Sequence, residues 1–123
     1  MSLRSALRSL VAGRDEVEAD EERLRAARVG TTAVADVPTR ETAVVSGVLR
    51  SVILRPSERV QVVEAELYDG SGSVELRWLG RRRIPGIDPG RRVRVRGLVS
   101  VVDGRRVIYN PRYELVAAAD AQL

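Results

Sequence analysis

From Ala43 onward, Val, Ile and Leu alternate with polar residues at a period of two, the pattern of strands with one buried face. Five strands are predicted: Ala43 to Leu54, Arg59 to Tyr68, Ser73 to Leu79, Arg91 to Val102 and Arg105 to Leu115. Asp69-Gly70-Ser71-Gly72 and Asp103-Gly104 supply hairpin turns, and Gly80 to Gly90, with two prolines, reads as a loop. On the second strand Val63, Ala65 and Leu67 point inward, with Glu64, Glu66 and Tyr68 outward. On the third, Val74, Leu76 and Trp78 point inward, with Glu75 and Arg77 outward.

The first thirty residues follow a different period. Leu3, Leu7, Leu10 and Val11 recur at helical spacing, and Asp15 to Val29 is rich in strong helix formers with Gly30 as a stop. The apolar face of Val17, Leu24 and Ala27 is too thin to hold that helix in water alone, so it should pack on the domain or on another chain, or be partly disordered. Thr31 to Arg40 reads as an extended connector. The predicted organisation is therefore a helical segment and connector over 1–40, an all-β domain over 41–116 and a tail over 117–123.

Five short strands in about seventy residues suit a closed barrel, which removes exposed sheet edges. Gly47 and Gly97, inside apolar strands, mark the bends such closure needs. A five-stranded OB-fold barrel is the expected architecture, with an SH3-like barrel as the competitor that strand count alone does not separate.

Composition narrows the chemistry. The chain has no histidine and no cysteine, and all its basic residues are arginine, so zinc sites, imidazole-dependent triads, Schiff bases and phosphate-loop lysines are excluded. Glu64, Glu66 and Glu75 could in principle hold a hard cation, but acids on one strand face are ordinarily just solvated. Neither a cofactor nor catalysis is expected. No apolar run approaches the roughly 18 residues of a membrane span, and Met1 to Leu10 lacks the features of a secretory signal, so a soluble cytoplasmic protein is expected.

Charge placement says more than charge total. Between Glu75 and Arg112 lie eleven arginines against three acids, whereas the first forty residues are balanced at seven of each. A focused basic region attracts polyanions; the plain alternative is a solvated surface. OB-folds bind nucleic acid across strands two and three and the loops between strands one and two and four and five. Here those loops carry Arg55 and Arg59, and Arg105 and Arg106. Arg77 and Arg81, Arg82 and Arg83 lie nearby, and Tyr68 and Tyr109 are the better stacking candidates, while Tyr113 could stack or close the barrel. Three glutamates on the same face oppose phosphate binding. Arg92, Arg94 and Arg96 share the outer face of strand four, beside that site.

Three stretches carry a resemblance: Leu49-Arg50-Ser51-Val52 with Arg55-Pro56; Leu67 to Gly72 running on through Trp78-Leu79-Gly80-Arg81-Arg82-Arg83-Ile84-Pro85-Gly86-Ile87; and Tyr109-Asn110-Pro111-Arg112-Tyr113-Glu114-Leu115. In these the chain resembles the small OB-fold nucleic-acid-binding domain proteins of actinobacteria, over most of its length from about Gly30. More distantly it resembles the OB-type wedge domain of the RecG helicase, with its D-G-x-G hairpin and Pro-x-Tyr-Glu ending. The resemblance implies single-stranded or branched DNA as partner, with RNA the other nucleic acid of the class. A protein-interaction module, or self-association through the N-terminal helix, is the alternative expectation.

Overall fold

The computed structural model describes residues 29–56 and 59–116. The helical readings fall, except for Val29, outside the described residues, as do Ser57, Glu58 and the tail. The described part is all-β: β1 (Thr42–Arg55), β2 (Val62–Tyr68), β3 (Ser73–Leu79), β4 (Arg92–Val102), β5 (Arg105–Tyr109) and β6 (Arg112–Leu115), with a single 3-10 turn at Val34–Asp36.

Two long strands close the sheet on itself. β1 pairs with β4 through Thr42 to Val48 and with β2 through Val48 to Arg55. β2 pairs with β3, β3 runs parallel to β5, and β5 pairs with the far half of β4, completing a ring of five strands. β6 continues on the near half of β4, opposite Val93 to Arg96.

The predicted parity holds inside the ring. Val63, Ala65, Leu67, Val74, Leu76 and Trp78 are all buried. Trp78 donates from Nε1 to the Pro111 carbonyl at 3.1 Å and meets Tyr113 edge-on, and the Tyr113 hydroxyl donates to the Pro85 carbonyl. Tyr113 thus packs against the core beside Trp78, half-buried and tied by its hydroxyl to the β3–β4 loop.

Three predictions need correction. The last strand, read as continuous from Arg105 to Leu115, breaks at Asn110 and Pro111, because Pro111 has no amide to donate and Asn110 takes a left-handed φ of 49°. The second strand begins at Val62 rather than Arg59. Thr31 to Arg40 is also more than a connector: Val34 and Val37 are buried in the core, and the segment covers the end of the ring beside the Asp69–Gly72 turn.

Asp69 fixes that segment. Its Oδ1 accepts from the Ser71 hydroxyl and from the amides of Ser71 and Gly72, and its Oδ2 accepts from the Val34 amide at 2.8 Å. Partial burial alone would raise the pKa of the carboxyl, but these four donors outweigh it and hold Asp69 below its ordinary value. The opposite end of the ring is covered by the β3–β4 loop, where Ile84 and Ile87 are buried and Gly90 and Arg91 bond to Leu49.

Two outcomes are expected. Because the folded pKa of Asp69 is depressed, its contribution is complete above the unfolded value near 4 and disappears as pH falls through the lower folded value. Asp69→Ala should therefore cost about 1–3 kcal/mol at neutral pH in urea denaturation and flatten the loss of stability below about pH 4. Gly47→Ala should cost about 1–3 kcal/mol, because an added Cβ would collide with the Tyr68 carbonyl, a backbone atom that cannot move aside. An unchanged urea midpoint would contradict that packing.

Candidate nucleic-acid interface

The outer faces of β1, β2 and β3, together with the β4–β5 turn, enclose a groove of about 590 Å³. Ser51, Ile53 and Arg55 line it from β1, Glu64 and Glu66 from β2, and Glu75 from β3; Arg105 and Arg106 stand at the turn. Arg55 lies at the Leu79 end of the three strands, and Arg105 and Arg106 at the Ser73 end, so the groove has arginine at both ends.

Its carboxylates are largely engaged. Arg55 Nε donates to Glu64 Oε2 at 2.7 Å, and Arg77 Nε lies 3.6 Å from Glu64 Oε1. Arg77 Nη2 forms an off-axis ion pair with Glu75 at 2.6 Å, and its Nη1 donates to the Tyr109 hydroxyl at 3.0 Å. Burial alone would lower the Arg77 pKa, but Glu75 and then Tyr109 outweigh it and raise it above its ordinary value, so Arg77 stays cationic. Cross-strand register explains the arrangement: Glu64 sits opposite Arg77, whereas Glu66 sits opposite Glu75. Two like charges facing each other are unfavourable, and Arg77 relieves the pair by drawing Glu75 to itself.

Each of the other predicted residues has a definite place. Arg105 is exposed and has no side-chain partner among the described residues, whereas Arg106 is half-buried and donates to the Ala35 carbonyl at 3.1 Å, helping to hold the N-terminal segment. Arg59 is exposed just beyond the Arg55 end. Arg81, Arg82 and Arg83 are exposed in the β3–β4 loop outside the groove, with Arg82 bonded to Gln61 at 2.9 Å. Tyr109 is 40% exposed next to Arg77, which keeps part of its ring in solvent.

Tyr68 is placed differently from its partners in the prediction. A β-bulge at Arg50 shifts the β1–β2 register between Leu49 and Ser51, and the Arg50 guanidinium lies 3.4 Å from the Tyr68 ring centroid. One face of that ring is covered. The bulge re-aims Arg50, a device the alternating pattern does not reveal. Ile53, 45% exposed inside the groove, also escaped the sequence reading, although its outward position on β1 follows from the same alternation.

No family model matches this chain, and no curated protein does. Among solved structures, the chain is similar to a chain in the structure of RecG bound to a three-way DNA junction, at 21% identity and a TM-score of 0.62. The likeness is one of fold. It covers 72% of this chain and 13% of the other, so this chain corresponds to a small part of that protein. Among the described residues, no group of three His, Cys, Asp or Glu could hold a metal ion, and no helix is long and apolar enough to cross a membrane.

Arg77→Ala should strip the partner from Glu75 and weaken the hold on Glu64. The expected result is a loss of about 1–3 kcal/mol in urea denaturation; an unchanged midpoint would mean that the network contributes nothing to folding.

Proposed function

We propose that this chain is an OB-fold module that binds single-stranded or branched DNA along the groove and performs no chemistry on it. The strand order β1-β2-β3-β5-β4, closed back onto β1, supports the OB assignment, as that fold is a five-stranded Greek-key barrel. The likeness in fold to RecG, solved on a three-way DNA junction, supports nucleic acid as the ligand class.

One observation carries the reading. The groove bears arginine at both ends, while two of its three glutamates are already paired with Arg55 and Arg77. The acidity that opposes phosphate binding in the bare sequence is thereby largely cancelled. A strand would run from Arg55 and Arg59 over Ile53 to Arg105 and Arg106, with Arg77 shaping the floor and Arg81, Arg82 and Arg83 extending the basic rim. Tyr109 offers a stacking surface worth about 1–3 kcal/mol, so recognition is phosphate-led and weakly dependent on sequence.

A second reading, a protein-interaction module, draws on the exposed side chains of Leu54, Val60 and Leu79. Fluorescence anisotropy with single-stranded DNA and RNA of one sequence separates the two. DNA binding should fall with log salt at a slope near −3.5 for about five phosphate contacts, and Arg55→Ala/Arg105→Ala should flatten that slope by about 1.4. No binding of either oligonucleotide at low salt would leave the protein-interaction reading standing instead.

A further inference from the structure

A second basic surface lies away from the groove, on the outer face where β4 runs between β1 and β6. β4 places Arg92, Arg94 and Arg96 on this face, and β6 adds Arg112 directly opposite Arg96 and Glu114 opposite Arg94. From β1 the same face receives Val44, Ser46 and Val48, opposite Arg96, Arg94 and Arg92 respectively. Arg92, Arg96 and Arg112 are exposed, and none of the three has a side-chain hydrogen bond or ion pair among the described residues.

Like charges opposite one another across a ladder weaken a sheet, so folding does not account for Arg96 facing Arg112. The pattern makes sense if a polyanion neutralises both. Alternate residues of a strand are about 6.7 Å apart, so Arg92 to Arg96 forms a row about 13 Å long. The row itself contains no aromatic side chain, and Tyr68, opposite Val48 at its Arg92 end, is half-buried with one ring face covered by Arg50, so an unpaired base finds little to stack on. Cationic and exposed at Arg92, Arg96 and Arg112, with Arg94 half-buried beside Gly30 and Ser46 buried, the face suits a ligand that presents phosphates outward with its bases already stacked.

We propose that the β4–β6 face is a second, separate nucleic-acid site that takes the phosphate backbone of a DNA duplex. Resting on the proposed single-strand groove, it gives the molecule two sites on different faces: one for an unpaired strand, the other for the paired arm of the same branched DNA. Specificity for a fork would then come from geometry, through simultaneous engagement of two weak sites on one ligand.

Anisotropy with a blunt duplex, a single strand and a fork made from both tests this, using Arg92→Ala/Arg96→Ala/Arg112→Ala beside the Arg55→Ala/Arg105→Ala groove variant. The triple variant should weaken duplex binding about tenfold or more and flatten its salt slope by about 2.7, leaving the single strand unaffected. The groove variant should do the reverse, and the fork should bind the wild-type chain more tightly than either component. Arg112→Glu controls for folding: it sets an opposite charge beside Arg96, so the melting temperature should hold or rise while duplex binding falls. Duplex binding unchanged in the triple variant would overturn the proposal, as would equal loss of duplex and single strand, or no duplex binding by the wild-type chain at low salt. Duplex binding without single-strand binding would instead refute the groove and leave this face standing.

Discussion

The whole arrangement depends on β4 serving three neighbours along its length. Its first half lies between β1 and β6, and its second half pairs with β5. Gly97 sits at the change, where an added Cβ would meet Ile108 of β5. The missing side chain lets Ile108 of β5 pack directly on the β4 backbone there. Closure also brings the β4–β5 turn, with Arg105 and Arg106, to the end of the groove opposite Arg55.

Electrostatics within the groove follow from register. A one-residue slip of β2 against β3 would remove Arg77 from Glu64 and turn the strand's apolar residues outward, so burial of Val63, Ala65 and Leu67 also specifies the ion pairing. The arginines consequently divide by task. Arg77 holds the groove's floor, Arg106 ties down the N-terminal segment while still lining the groove, Arg50 covers Tyr68, and Arg105 has no side-chain partner among the described residues.

Strand positions and the inner face were legible because period-two alternation is strong from Ala43 onward, and the two hairpin turns carry glycine where a left-handed backbone is required. The break at Asn110 was less so, since apolar and polar residues keep alternating across it. Burial of Val34 was not legible: its amide donates to Asp69 and that of Ala35 to Ser71, thirty-odd residues away, and no local pattern reports such contacts. The Asp-Gly-Ser-Gly turn did hold a clue, as an aspartate bonding its own turn through one oxygen leaves the other for a distant donor. Arginine placement drew attention to the loops that flank the groove, yet only the register shows which of those side chains are already engaged.

In the proposed function a phosphate strand lies between Arg55 and Arg105. Amide chemical shifts recorded while a short single-stranded oligonucleotide is titrated at low salt test this most directly. Changes should concentrate at Ser51, Ile53, Arg55, Glu64, Arg105 and Arg106 and disappear as salt rises. Changes confined to the β4–β6 face, or none at all, would contradict the groove as the site.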